Sequence, residues 1–185
     1  MGNGLMAGIA RMMGARGSRR NQIGREPEQD SVQRILEAAP KVMSKASYCT
    51  FVTSGPDGPT ARIVYAFPPT ADLAIHISTS PTSAKYRQAA AAGNAVVVFQ
   101  AAGSGGLTAY CRTAIIEDPS ERRRWWKWWS SMFWPHGPDS PEFGVIRCEP
   151  YALEMWAPKH GVCPSPYGLR GARLELGTDG WRLGP

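Results

Sequence analysis

Hydroxyl side chains and a lysine follow one another where a predicted strand, residues 73–78, gives way to a predicted helix, residues 83–92. The members of this group are Thr79, Ser83 and Lys85. A helix N-terminus presents unpaired backbone N–H groups and positive potential, and these side chains add donors and a charge. The group therefore favours binding of a phosphate, while the same residue types also form ordinary helix caps.

An arginine interrupts an otherwise apolar strand that is predicted to form a hairpin with the strand before it. Arg62 is followed directly by Ile63, Val64 and Tyr65. Because side chains alternate along a strand, Arg62 and Val64 share one face. An arginine on such a face needs an anion to compensate its charge, which points to a ligand site. A surface arginine at the sheet edge is the alternative.

Three arginines are followed by four tryptophans with one lysine between them over residues 122–129, within a helix predicted from Asp118 or Ser120 to about Phe133. Basic residues beside aromatic ones can bind single-stranded nucleic acid or a membrane surface. The alternative is a helix that covers the core and leaves its arginines in solvent. Further along, Trp156 ends a late strand, where it can stack on a planar ligand or pack internally.

The sequence shows no nucleophilic triad, no paired carboxylates and no spacing of metal ligands. Its histidines, which lie in different predicted elements without a recognisable partner, are His76, His136 and His160. Its four cysteines are far apart and form no C-x-x-C motif. We therefore predict reduced thiols, with Cys49 in the core, and no metal site.

Charge and hydropathy limit the classes of partner. Five arginines and no acid fall within residues 1–25, so the net charge of +6 belongs mainly to this end and the remainder is close to neutral. We predict a flexible basic arm over residues 1–29 and one domain over residues 30–185. The arm resembles an organelle-targeting peptide, which would direct the protein to a mitochondrion or plastid; otherwise we expect the cytoplasm. No run of eighteen apolar residues predicts a membrane span.

Twenty glycines and sixteen prolines predict many turns, and therefore short strands rather than a helical bundle. The predicted strands are 47–53, 61–67, 73–78, 95–100, 107–116, the pair 145–148 and 151–156 interrupted by Pro150, and 173–176. The predicted helices are 30–45, capped by Asp30 or Ser31, then 83–92 and 118–133. The fold class is mainly β (α+β): six or seven antiparallel strands in a small barrel with flanking helices.

The order of these motifs resembles the pyridoxamine 5′-phosphate oxidase-like flavoproteins, the FMN-binding split β-barrel family, and within it the general stress protein 26-like branch. The resemblance covers roughly residues 30–156. The motifs that carry it are Asp57-Gly58-Pro59, Arg62-Ile63-Val64-Tyr65, Thr79 with Ser83-Ala84-Lys85, Gly93 to Phe99, Glu121 to Trp129, Pro135 to Pro141, and Glu154-Met155-Trp156.

The resemblance implies an FMN site. Arg62 and Lys85 would neutralise the FMN phosphate, and Thr79 and Ser83 would hydrogen-bond it. Ser78 would line the ribityl or phosphate region. The implied contacts to the flavin ring are backbone groups around Ile63, Val64 and Tyr65, and the side chain of Trp156 near the interface of a homodimer.

The resemblance also implies a redox function. The true oxidase has an R-x-H segment soon after E-x-W, whereas residues 157–163 here contain none, so we expect an oxidoreductase whose substrate is not vitamin B6. The alternatives are a non-catalytic flavin-binding stress protein, or the same barrel binding FAD, a deazaflavin or haem. The expected partners are a small-molecule substrate or electron donor and a second copy of the chain, with neither nucleic acid nor membrane. No catalytic acid or base is assigned.

Overall fold

The structure, a computed structural model, describes residues 28–103, 105–162 and 171–185. Residues 1–27 of the predicted arm, and Cys163, lie outside this part of the chain. The elements are α1 (Glu28–Lys45), β1 (Tyr48–Gly55), β2 (Gly58–Tyr65), β3 (Ile75–Thr79), α2 (Ala84–Ala92), β4 (Asn94–Ala101), β5 (Gly105–Ile115), α3 (Pro119–Arg124), a 3₁₀ turn (Trp128–Met132), β6 (Gly144–Trp156), a second 3₁₀ turn (Pro158–His160), β7 (Ala172–Gly177) and β8 (Gly180–Leu183).

One antiparallel sheet, which does not close, contains all eight of these strands in the order β2-β1-β4-β5-β6-β7-β8, with β3 paired to β6. The predicted α+β class, an antiparallel split barrel with flanking helices, is confirmed. The strand count exceeds the prediction because Thr178 and Asp179 form a tight turn between β7 and β8. Gly180 follows this turn at φ 108°, a conformation that favours glycine.

Helix α1 covers the sheet through a fully buried stripe that includes Ile35, Ala39 and Val42. The sequence predicted that Asp30 or Ser31 caps this helix. The helix instead begins at Glu28, so both residues lie in its first turn. Pro40 lies inside the helix. The chain tolerates this proline because the buried stripe continues on both sides of it, and burial of that stripe offsets the lost hydrogen bond.

The helix predicted up to Phe133 is wrong in its extent, because α3 ends at Arg124 and the chain is extended at Lys127. Tertiary packing explains the break. Trp125 stacks on His76, whereas Trp126 packs edge-on against Phe143. The two neighbouring indoles are both partly buried against the cluster of Ile116, Phe143 and Val145 but pack on different rings, and this packing overrides the helical pattern of the sequence.

Strand β6 is continuous, so the predicted interruption at Pro150 is also wrong. A β-bulge accommodates the proline: Tyr110 lies opposite Ala152 and Cys111 opposite Pro150, which leaves Tyr151 as the extra residue. On its other side β6 pairs with β3 only up to Cys148 and with β7 only from Ala152. Pro150 therefore lies where no ladder bond is required of it.

Three cysteines, Cys49, Cys111 and Cys148, are buried and free of disulfides, as predicted. Burial raises the pKa of the Cys49 thiol to about 12 and raises the pKa of the other two as well. They are core residues. Within the described segments, no helix is long and apolar enough to cross a membrane.

Candidate functional site

The candidate site lies where β2, β3 and the start of α2 meet. An isolated bridge between Ala66 and Ile77 joins the end of β2 to β3 in the antiparallel sense. Antiparallel extension of this bridge brings Val64 and Tyr65 alongside the end of β3. Helix α2 begins five residues after the end of β3, so Thr79, Ser83 and Lys85 lie beside β2, the strand that carries Arg62.

Thr79, Ser83 and Lys85 form one hydrogen-bonded cluster. Ser83 is the N-cap of α2, and its Oγ accepts the Tyr86 backbone N–H at 3.4 Å. Thr79 Oγ1 lies 3.2 Å from Ser83 Oγ, and Lys85 Nζ donates to Thr79 Oγ1 at 3.1 Å. The sequence motif is therefore a helix cap and at the same time a compact group of two hydroxyls and an ammonium.

Arg62 lies on the edge strand β2, where it is partly exposed, and its side chain points at α2. Its Nη1 donates to Thr53 Oγ1 at 2.5 Å and its Nη2 to Gln88 Oε1 at 2.5 Å, while Thr53 Oγ1 donates to Gln88 Oε1 at 2.7 Å. Gln88 lies three residues after Lys85, which places both on the same face of α2. The partners of this guanidinium are neutral, so its charge is oriented without being neutralised.

Two cations consequently lie close together. The pKa of Lys85 is lowered, mainly because the ammonium is partly buried and secondly because the positive charge of Arg62 acts on it. In the described residues no carboxylate forms an ion pair with either side chain. An anion at this corner would relieve both the repulsion and the desolvation.

The corner opens into a cleft of about 530 Å³, within the usual size range of small-molecule sites. Six predicted site residues line it: Ile63, Val64, Tyr65, Ser78, Thr79 and Lys85. The remaining lining residues are Tyr48, Trp129, Met132, Phe133 and Trp134. The predicted residues Arg62 and Ser83 are not in the lining, but hydrogen bonds link each of them to the cluster at its polar end.

Trp156 is not brought to this cleft. Gly144, at the start of β6, lies opposite Thr79, whereas Trp156 ends the same strand opposite Gly106. At about 3.3 Å per residue, some 40 Å of strand separate the two ends. The side chain is 47% exposed, so it is not a core residue either.

Sequence reasoning missed two groups of site residues. Thr53 and Gln88 were overlooked, although Gln88 could have been found from its spacing to Lys85 along the helix. The second group consists of Trp129, Met132, Phe133 and Trp134. Its position depends on the break after α3, for which the sequence gives no signal. Trp129 packs edge-on against Tyr65, with ring centroids 5.0 Å apart.

No histidine is among the described residues that line the cleft. His76 is buried beneath Trp125, and the exposed His136 lies 3.3 Å from Glu142. Across the parts of the chain that can be described, no group of three His, Cys, Asp or Glu side chains could hold a metal ion.

Known structures share this architecture. No protein-family model matches the chain, and no curated protein matches it at a significant level. A Clostridium acetobutylicum protein related to general stress protein 26, of the pyridoxinephosphate oxidase family, superposes with a TM-score of 0.64 at 12% identity, covering 78% of this chain and 96% of its own. The chain has the split β-barrel fold.

Two further known structures are similar to this chain over most of its length. PhzG from Burkholderia lata 383, solved in complex with tetrahydrophenazine-1-carboxylic acid, gives a TM-score of 0.60 at 16% identity and covers 87% of this chain and 93% of its own. A pyridoxamine 5′-phosphate oxidase-related, FMN-binding protein from Nostoc punctiforme PCC 73102 gives 0.55 at 15% identity and covers 87% and 97%. The resemblance predicted from the motifs is thus confirmed at the level of the fold.

Proposed function

We propose that this split barrel binds FMN in the cleft and acts as an FMN-dependent oxidoreductase on a substrate other than vitamin B6. One observation carries the proposal: in the described residues, two cations without an acidic partner and two hydroxyls are gathered at one end of a cleft that continues along the apolar residues Ile63, Val64 and Tyr65 of β2. A flavin mononucleotide has the same division, with a phosphate at one end and a flat ring system at the other.

The polar corner fits a phosphate by the chemistry of its donors. Lys85 Nζ, now bonded to Thr79 Oγ1, can turn towards a phosphate oxygen, and the Thr79 and Ser83 hydroxyls can donate to others. Arg62 supplies the second positive charge through the oriented guanidinium. Two cations near a phosphate dianion make its binding in a partly buried corner favourable.

Strand β2 fits the ring end by its position in the sheet. Its ladder partner is β1, it ends the strand order, and β3 meets it only through the bridge at Ala66, so the outer edge before that bridge has backbone N–H and C=O groups available to a ligand. Ile63, Val64 and Tyr65 lie on this edge and line the cleft. These backbone groups can hydrogen-bond the polar edge of a flavin ring, as the sequence resemblance implied.

A bound flavin supplies the two-electron chemistry, and the protein supplies its binding and orientation. No carboxylate or histidine is among the described residues that line the cleft. The chain's own contribution is therefore to anchor the phosphate and shape the ring site, and no proton transfer is assigned to a side chain.

A second copy of the chain completes this proposal. Ile63 is 69% exposed beside the cleft, and Tyr48 is equally exposed on the neighbouring strand. A homodimer that covers this face would remove apolar surface from water. Because Trp156 is remote within one protomer, it can reach a flavin only from the other copy.

The test is a titration of the purified protein with FMN and with riboflavin, which lacks the phosphate, followed by flavin absorbance and melting temperature. We expect Lys85→Ala to weaken FMN binding by about 10- to 100-fold, the value of one charge-assisted hydrogen bond, and to leave riboflavin binding unchanged. Arg87→Ala is the matched control, because this exposed arginine on the same helix bonds the backbone oxygen of Thr82.

The contrary outcomes are distinct. Equal losses in Lys85→Ala and Arg87→Ala would mean that general charge, and not this corner, attracts the nucleotide. If FMN neither changes colour on binding nor raises the melting temperature, the flavin proposal is wrong, because a ligand that binds the native state must stabilise it. The absorbance of the protein as isolated would then identify haem or a deazaflavin, and titration with FAD completes the comparison. Turnover with a reduced nicotinamide separates an oxidoreductase from a flavin-binding stress protein.

A further inference from the structure

The cleft carries formal charge at one end only. Lys85 is the single lining residue, in the part of the chain described, whose side chain is charged at neutral pH. The lining also contains the aromatic wall, which we define as Trp129, Met132, Phe133 and Trp134. Among the described residues that line the cleft, this wall offers a ligand rings and a thioether but no ionic partner, and the ammonium of the nearby Lys127 lies 5.8 Å from the Phe67 ring.

The aromatic wall is held in place by its own backbone. Ser130 is fully buried within the turn, and its carbonyl oxygen accepts the backbone N–H groups of Phe133 at 3.0 Å and Trp134 at 2.9 Å. Its Oγ accepts the Lys127 N–H at 3.1 Å. The rings therefore stand on a turn with satisfied hydrogen bonds, which favours a preformed surface.

Two rings of the wall, Trp129 and Phe133, meet edge to face, while Phe133 and Trp134 meet at an inclined angle of 54°. The Trp129 and Phe133 planes are perpendicular, with centroids 6.4 Å apart, and Trp129 meets Tyr65 in the same way. Edge-to-face packing leaves ring faces available for a further flat partner. Phe133 is 64% exposed and Met132 is similarly open, so the wall has unused apolar surface beside the cleft.

We infer that the aromatic wall is the subsite for the second ligand, and that this ligand is an uncharged, planar, conjugated ring compound. The inference rests on the proposed function, because it assigns the cationic corner of the cleft to the phosphate of FMN. An anionic second ligand would set its charge against rings instead of a counter-ion, because Lys85, the charged lining residue described, is assigned to the phosphate, and this mismatch lowers its affinity. A neutral flat ring gains stacking and apolar burial there without that mismatch.

The experiment uses full-length protein saturated with FMN and two probes with the same ring system, 2-naphthol and naphthalene-2-sulfonate. Their dissociation constants are measured by ligand-observed NMR at pH 7, where the first probe is neutral and the second is an anion. We expect the neutral probe to bind at least about tenfold more tightly, as an unpaired charge on the second requires. The FMN affinity of every variant is measured first, so that each is studied in its loaded form.

Two variants of the same turn locate the subsite. Phe133→Ser should weaken 2-naphthol binding about fivefold or more, since it removes one ring of the wall. Trp128→Ser is the matched control, because Trp128 is 85% exposed on the same turn but does not line the cleft. It should bind the probe as the wild type does.

Three results would overturn the inference. The first is equal affinity for the two probes, and the second is a loss of 2-naphthol binding in Trp128→Ser but not in Phe133→Ser. The third is the absence of 2-naphthol binding to protein that holds FMN, which would leave the FMN proposal intact. If FMN itself fails to bind, the proposed function is wrong and this inference falls with it, so the two failures are distinguishable.

Discussion

The imidazole of His76 lies flat against the indole of Trp125, with ring centroids 3.6 Å apart and planes inclined by 13°. His76 belongs to β3, two residues before Ser78, and Trp125 follows α3 directly. The stacked pair therefore connects the strand that ends at the polar corner with the segment that leads to the aromatic wall. It fixes one end of the cleft relative to the other.

We predict that this pair makes the fold sensitive to mild acid. Burial, and secondly the charge of Arg147, lower the pKa of His76 to about 4, against the opposing influence of Asp72; its ordinary value is 6.5. Well above pH 6.5 the imidazole is neutral in both the folded and the unfolded state, so its titration does not change the free energy of unfolding. As the pH falls from 6.5 to 4, the unfolded state binds the proton and the folded state does not, so the free energy of unfolding decreases.

Urea unfolding at pH 7.5 and pH 5 measures this effect. Wild type should lose about 2 kcal/mol of stability from His76 over this interval, a value that follows from the two pKa values by linkage. His76→Phe retains a ring against Trp125 and cannot titrate, so its loss should be smaller by about that amount. The same loss in both proteins would show that other groups cause the acid sensitivity.

The second prediction separates the charge of Arg62 from its position. Gln88→Glu places a carboxylate where Gln88 Oε1 now accepts from Arg62 Nη2 at 2.5 Å. The fold should keep its melting temperature or gain slightly, because the new pair is charge-assisted. FMN binding should weaken about tenfold or more, because the carboxylate competes with the phosphate for the guanidinium, while riboflavin binding stays the same.

Gln88→Leu is the companion variant. It leaves Arg62 Nη2 without this acceptor in a part-buried place, so we expect a fall in stability of about 1–3 kcal/mol. If Gln88→Glu instead binds FMN as tightly as wild type, Arg62 does not contribute to the phosphate site.

The third prediction concerns Trp156 and the second copy of the chain. Trp156→Ala should weaken flavin binding about fivefold, the typical worth of one aromatic stacking contact, and should weaken FMN and riboflavin equally. Tyr151→Ala, which removes another exposed aromatic side chain from β6, should have no such effect. Light scattering of both variants checks that the oligomeric state is unchanged. Wild-type flavin affinity in Trp156→Ala would remove this residue from the site.

The fourth prediction concerns thiol reactivity. Cys49, Cys111 and Cys148 are buried and their pKa values are raised, so the reactive thiolate is scarce. We expect a Cys163→Ser variant, titrated with a thiol reagent at pH 8, to show almost no reactive thiol in the native state. After unfolding in urea it should show three reactive thiols per chain. Rapid reaction of the native variant would mean that the core opens readily.

Local patterns in the sequence were enough to predict the polar corner. Thr79, Ser83 and Lys85 lie within seven residues of one another, and their geometry follows from a strand, a cap and one helical turn. Arg62 faces α2 because of the alternation that put it on one face with Val64. Its partner Thr53 could not be predicted from local patterns. The contact depends on the β1–β2 register, in which Thr53 lies diagonally across from Arg62.

The aromatic wall could not be predicted because its cause is distant in sequence. Trp125 leaves the helical path to stack on His76, and Trp126 does so to pack on Phe143. Neither contact is visible in the local pattern, which favours a continuous helix. Pro150 is a similar case, since it is tolerated only because β6 changes partners at that point.

The pairing of β3 with β6 also has a consequence for the order of events in the cell. Ser78 and Thr79 lie opposite Val145 and Gly144, residues that the ribosome adds long after the motif around Lys85. A nascent chain that has not yet reached Gly144 carries the motif but lacks the strand that holds its threonine in place. The corner is therefore assembled only when most of the chain has been translated, so a ligand that depends on it can be bound only late in synthesis or after it.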